Sequence, residues 1–198
     1  MTRNDYNPAL RDDVNLGPCI GLLEFATIPR GIEAANAILW EANVELIFSA
    51  PVQPGKYVLL FTGSIDDVKT AMRCGEELGG HDVIDRLFIP QIHEQVEVAL
   101  RRTDGYIDGK LDAVGIVETT TVASAILSAD LALKKANVDL FDLRIANGLG
   151  GKSYLCLTGE ISDVRSSVTE AARSAKEAGR LSREVVIANP PPEHSRYL

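Results

Sequence analysis

Seventeen residues from the first half of this 198-residue chain recur in the second half at constant spacing. Gly21, Glu24, Thr27, Ile32, Ala35, Leu39, Ala42, Asn43, Val44 and Leu46 reappear 94 residues later as Gly115, Glu118, Thr121, Ile126, Ala129, Leu133, Ala136, Asn137, Val138 and Leu140. Past a short connection, Lys56, Leu59, Thr62, Gly63, Ile65, Asp67 and Val68 reappear 96 residues later as Lys152, Leu155, Thr158, Gly159, Ile161, Asp163 and Val164. The two extra residues therefore fall in that connection. Spacing that survives through helices and strands, with the length change confined to one loop, marks the duplication of a supersecondary unit. Such a chain folds as two similar units, each close to the roughly 100 residues common for a domain.

Each unit reads as strand, helix, strand, strand, helix, strand. In the first, Cys19–Glu24 is a short apolar strand and Thr27 suits the N-cap of the helix that follows. Ile28, Ile32, Ala35, Leu39 and Ala42 then come at helical spacing, and periodicity alone assigns that face to the sheet. Val44–Phe48 and Tyr57–Phe61 are the next strands. Ser64 and Asp67 suit the start of a second helix, Gly79-Gly80 its end, and Pro90 closes a fourth strand, Val83–Ile89, before a short helix over 91–100. The second copy finishes with a helix from Ser162 to about Gly179 and a strand, Arg183–Ile187, before Asn189-Pro190-Pro191-Pro192 halts regular structure. Asn43 and Asn137 are read as left-handed turns out of their helices.

This order predicts an α+β protein of two tandem ferredoxin-like (βαββαβ) domains, each an antiparallel sheet with both helices on one face. The predicted boundaries are an N-terminal arm over 1–17, a first domain over 18–100, a linker over 101–110, a second domain over 111–192 and a tail over 193–198. The linker carries two turn signals, Asp104-Gly105 and Asp108-Gly109.

The connection that differs in length is the most informative stretch. Ser49 to Lys56 and Ala146 to Lys152 both end in Gly-Lys ahead of an apolar strand, and both carry residues that let a backbone approach closely. What they approach, whether a symmetry axis, a ligand or another backbone, is open at this level. Gly148-Leu149-Gly150-Gly151-Lys152 lies between two strands, whereas a phosphate loop feeds a helix N-terminus, so its glycines do not read as an anion cradle. His81, His93 and His194 have no Cys or carboxylate around them at metal-ligand spacing, and the three cysteines are too scattered for a zinc site or a disulfide framework. Glu24 and Glu118 end the same strand of their repeats, which favours a structural role over acid–base chemistry. Lys56 and Lys152 are assigned to the solvated side of their hairpins. Trp40, off the apolar stripe, either caps the core edge or projects into a contact with another chain.

Composition narrows the partners. With 45% hydrophobic residues the chain can build a core, and no run approaches the roughly 20 apolar residues of a membrane span. The start lacks the apolar segment of a secretory signal. A net charge of -8 argues against nucleic acid, whose affinity comes from clustered Lys and Arg.

The repeated runs Ile20-Gly21-Leu22-Leu23-Glu24, Ala34-Ala35-Asn36-Ala37, Ala42-Asn43-Val44-Glu45-Leu46, Pro54-Gly55-Lys56 and Thr62-Gly63, with their second copies, resemble the tandem-domain shell proteins of bacterial microcompartments. The likeness covers about residues 18 to 192 in the unpermuted strand order. It implies a homotrimer whose six domains form a pseudohexameric tile, packed against other shell proteins (hexamers and pentamers) around encapsulated enzymes in the bacterial cytoplasm. It implies no enzymatic activity of the tile itself. The two loops would ring a central pore for small metabolites, lined by Val52, Gln53 and Pro54 from one domain and Asn147, Gly148, Leu149 and Gly150 from the other. One branch of the family carries a Cys in the first loop that holds an iron–sulfur cluster; here the position is Gln53, and no cofactor is expected. The family's tile-edge lysine corresponds to Lys134, while the first copy has Trp40, and His93 is a further edge candidate. Two alternatives remain: a trimeric ferredoxin-like regulator that senses a metabolite, and an iron–sulfur electron carrier.

Overall fold

The computed structural model describes residues 10–11, 13–101 and 111–193. The linker turns at Asp104 and Asp108, and the tail with His194, lie outside the described residues.

The first unit runs β1 (Ile20–Phe25), α1 (Ile28–Glu41), β2 (Val44–Val52), β3 (Lys56–Gly63), α2 (Ile65–Gly79) and β4 (Val83–Ile89), followed by α3 (Glu94–Arg101). The second runs β5 (Ala113–Thr119), α4 (Val122–Lys135), β6 (Val138–Ile145), β7 (Ser153–Gly159), α5 (Ile161–Glu177) and β8 (Leu181–Ala188). Each forms a four-stranded antiparallel sheet, in the orders β2-β3-β1-β4 and β6-β7-β5-β8. The two orders superimpose under the repeat, as a duplicated fold requires. In both sheets the strand carrying the repeated Gly and Glu lies inside, and Glu24 and Glu118 face Asp85 and Arg183 across the matching edge strand.

Strand β1 is buried along its whole length because it is covered on both sides. Leu23, Phe25, Tyr57, Leu59 and Phe61 meet Ala34, Ala35 and Ile38 of α1 and Val68, Ala71 and Met72 of α2. On the other side, Leu22, Phe48, Val58 and Leu60 join Val14 and Leu16 of the arm, Val96 and Leu100 of α3, and residues of α4. The corresponding face of the second unit carries Ile116, Asp142, Arg144, Tyr154 and Cys156 and forms an open concavity of about 480 Å³. Polar residues replace apolar ones there, at the matching positions, on the face that solvent reaches.

Three local expectations change. Of the stripe Ile28, Ile32, Ala35, Leu39 and Ala42, only Ala35 and the half-buried Ala42 meet the core; Ile28, Ile32 and Leu39 do not face the sheet. Those residues are exposed, and α1 packs inward through Gly31, Ala34, Ala35 and Ile38. Periodicity reports which residues share a face but not which of two apolar faces finds the sheet. Small residues win because the helix lies close: a Cβ on Gly31 would stand 2.3 Å from the Tyr57 ring. Next, β2 continues to Val52, so the first loop is only Gln53-Pro54-Gly55, while the second spans residues 146–152 as expected. Last, the non-glycine residues with positive φ are Ala146 and Asn189 among the described residues, so neither Asn43 nor Asn137 is left-handed. Helices α1 and α4 end on extended Ala42 and Ala136 instead.

Candidate functional site

The two connecting loops meet. Gln53 accepts a hydrogen bond at Oε1 from the Gly148 N–H, 3.1 Å away. Beside it, a Cβ on Gly151 would collide with Pro54 at 2.6 Å, and Gly151 has φ +85°, which disfavours any side chain. Gly151 thus serves the third of the three possible approaches, one loop's backbone lying against the other loop, whereas a Cβ on Gly55 or Gly150 would meet nothing within 4 Å. Gln53, Pro54, Gly148 and Gly150 are exposed at the tip and Asn147 and Leu149 are half-buried. Val52 departs from the sequence reading, since its side chain is 3% exposed and belongs to the core, out of reach of anything the loops enclose.

Below the tips the loops are fastened by a buried ion pair. Lys56 donates from Nζ to Glu24 Oε1 at 2.8 Å, and also to the carbonyls of Thr120 and Gly151 in the second unit. Glu24 is fully buried, and its other oxygen accepts the N–H of Val122, the first residue of α4, at 3.0 Å. Burial raises the Glu24 carboxyl above its ordinary range, opposed by the hydrogen bond and charge of Lys56. Contrary to the expectation from the sequence, Lys56 is therefore not on the solvated side of its hairpin; only 17% of its side chain is exposed. The equivalent pair of the second unit, Lys152 and Glu118, is intact at 3.0 Å but open to solvent. There the Ser182 hydroxyl, followed by Lys152, holds the Glu118 carboxyl below its ordinary range.

The same boundary continues outward. Asp85 accepts from the hydroxyls of Thr121 and Ser124 and pairs with Arg180 at 3.6 Å. Val122, Ile126 and Leu133 of α4 are buried against the first unit, alongside Leu87, Ile89, Val96 and Leu100. At its far end the boundary gathers two of the three edge candidates. Asp130 accepts from the His93 N–H at 2.8 Å and from Lys134 Nζ at 2.6 Å, and Lys134 also reaches the Gln91 carbonyl. Trp40, at the matching position of α1, is not gathered there. It is 86% exposed, which excludes a role in capping the core and leaves the outward projection.

Most of the large exposed hydrophobic residues fall at the two ends of the chain: Ile28, Ile32, Leu39 and Trp40 on α1, and Val185 on β8, with only Ile65 and Val98 elsewhere among the described residues. The signal in the sequence was present but ambiguous, because the α1 stripe is the one that its own sheet does not use. No group of three or more His, Cys, Asp or Glu side chains is placed to hold a metal ion among the described residues. No helix among them is long and apolar enough to cross a membrane.

Two stretches, residues 19–92 and 113–190, match the BMC domain family. The chain is 41% identical to the bacterial microcompartment shell protein PduT of Citrobacter freundii, over 88% of this chain and 94% of that protein. It is 24% identical to the carboxysome assembly protein CcmO of Synechococcus, over 92% of this chain and 69% of that protein. The crystal structure of a microcompartment protein from Desulfitobacterium hafniense DCB superposes with a TM-score of 0.75 at 40% identity, covering 90% of this chain and 98% of that one. Neither a regulator nor an electron carrier finds support among these relatives. With both repeats matched from end to end, the chain belongs to the BMC-domain family of bacterial microcompartment shell proteins, as a member that carries two such domains in tandem.

Proposed function

We propose that three copies of this chain join head to tail into a closed ring of six domains, a tile of the shell with the paired loops around a central opening. The observation that carries this reading is the pair of ends. Inside the chain, the outer face of α4 is buried on β4 and β1, whereas the same face of α1 has no cover and β8 offers Val185 at 42% exposure. An interface that uses different patches on each partner repeats until rotation closes it into a ring, or else continues as a filament. Two domains per chain fit a ring of six with three copies.

In this reading Gln53, Pro54 and residues 147–150 surround the opening and pass small metabolites, while Val52 stays in the core. Hydrogen-bonding amides without a formal charge at the tip suit neutral or anionic solutes. Lys134, Trp40 and His93 lie toward the outer rim, where the tile meets other shell proteins, hexamers and pentamers among them. The tile encloses enzymes in the bacterial cytoplasm and performs no chemistry of its own. Light scattering on the purified chain tests the ring: a mass of about 64 kDa, three times 21.4 kDa, is expected, and a stable monomer overturns it.

A further inference from the structure

The Lys56 clasp is complete only because a second domain stands beside it. Its Nζ reaches three acceptors, two of them backbone carbonyls of the second unit, and Glu24 takes up the first N–H of α4. Lys152 and Glu118 are the same residue types on the same strands, yet of these four hydrogen bonds they keep only the one between lysine and glutamate, with the Ser182 hydroxyl as a further donor to Glu118 Oε2. Lys152 bonds to Glu118 alone with 49% of its side chain exposed, and Glu118 Oε1 has no partner among the described residues. Carried through the repeat, the acceptors of Lys56 become the carbonyls of Ala26 and Gly55, and the donor to Glu24 becomes the Ile28 N–H. Each of these is present in this chain and has no hydrogen-bond partner among the described residues. The Ala26 carbonyl and the Ile28 N–H lie at the start of α1, beside the exposed Ile28 and Ile32, and the Gly55 carbonyl lies in the exposed first loop. Helix α1 also receives no side-chain cap from Thr27, whereas Thr121 caps α4.

We infer that Lys152 and Glu118 form the clasp between copies: Lys152 donates to the Ala26 and Gly55 carbonyls of the next copy, and Glu118 accepts that copy's Ile28 N–H. The inference rests on the ring proposed above. Six clasps then hold the loop ring, three inside chains and three between them, so the same Gly-Lys that fixes one loop relative to its neighbour also fixes copy to copy. The joint is not a perfect repeat of the internal one, since Arg183 stands where Asp85 accepts from Thr121 and Ser124. Fewer polar contacts are thus available between copies, which concentrates the assembly on Lys152 and Glu118.

The test compares full-length wild type with Lys152→Met, Glu118→Gln and Lys152→Arg, using Lys176→Met as a control on an exposed helix face. Mass photometry or native mass spectrometry over a dilution series reads the trimer population, and circular dichroism reads the fold. Lys152→Met and Glu118→Gln should raise the concentration at which trimers dissociate by at least tenfold with secondary structure unchanged. Lys152→Arg, which keeps donors and charge, should recover most of that loss, and the control should not differ from wild type. A wild type that is monomeric at all concentrations removes the ring itself. A trimeric wild type matched by Lys152→Met removes the clasp alone, and so does a Lys152→Met chain that unfolds, because the pair would then be working within one subunit.

Discussion

Glu24 and Lys56 show how two residues of ordinary type acquire a structural role through burial. A carboxylate at 0% exposure is tolerated only with its charge balanced and its oxygens hydrogen-bonded, and here Lys56 and the Val122 N–H supply both. Removing one member leaves the other buried and unpaired. We expect Lys56→Met to destabilise the chain by about 3–5 kcal/mol in denaturant melts at neutral pH, the range for breaking a buried pair. Lys56→Met with Glu24→Leu should regain most of it, because replacing both charges with apolar groups is often neutral. The pH dependence follows from the direction of the Glu24 shift. A carboxyl raised in the folded state binds its proton more tightly there than in the unfolded chain, so it favours the fold at low pH and ceases to as pH rises through its folded value. Without Lys56 the shift grows, so the deficit of Lys56→Met should shrink as pH falls into the carboxylate range. A deficit that stays constant with pH would argue that lost packing of the lysine stem is the cause.

Helices α1 and α4 are the same element in two settings. Both turn small residues toward their own sheet and second helix: Gly31, Ala34, Ala35 and Ile38 in one, Ala125, Ser128, Ala129 and Ala132 in the other. Both turn a branched aliphatic stripe outward. For α4 that stripe is covered by the first domain, and for α1 it is not. One substitution made twice should therefore have two outcomes. Ile126→Ser, at a side chain with 0% exposure, should cost about 2–5 kcal/mol of chain stability through the lost burial and the cavity. Ile32→Ser, at 54% exposure, should leave the melting of the isolated chain nearly unchanged and weaken association instead. Thermal melts paired with a mass measurement separate the two, and equal losses of stability would mean that α1 already packs within its own chain.

At the scale of the molecule, the internal joint serves as a template for the external one. The loops carry the consequence, because Gln53 touches Gly148 inside the chain and the same tips would face one another around the ring. Gln53→Arg is expected to leave the mass of the assembly unchanged, since the side chain is exposed at the tip, while altering the passage of small solutes through shells containing the variant. Loss of the trimer on that change would show that the loop contact holds the assembly rather than lining an opening. The acidic balance of the chain, -8, affects solubility and the company it keeps but has no part in the loop tip itself, whose exposed residues are uncharged.

The duplication, the order of strands and helices along the chain and the connection that differs in length were legible in the chain, because each rests on local spacing and turn chemistry, whereas the order of strands across each sheet came from the structure. The equivalence of Glu24 with Glu118 and of Lys56 with Lys152 was legible too. What spacing could not supply is which of two apolar helix faces meets the sheet, or that Val52 turns into the core, or that one Glu–Lys pair is sealed while its twin lies open. Those outcomes depend on what stands next to each residue in space. Two near-identical segments receive different neighbours when one is covered by the other domain and its twin is not, and only the tertiary structure decides which is which.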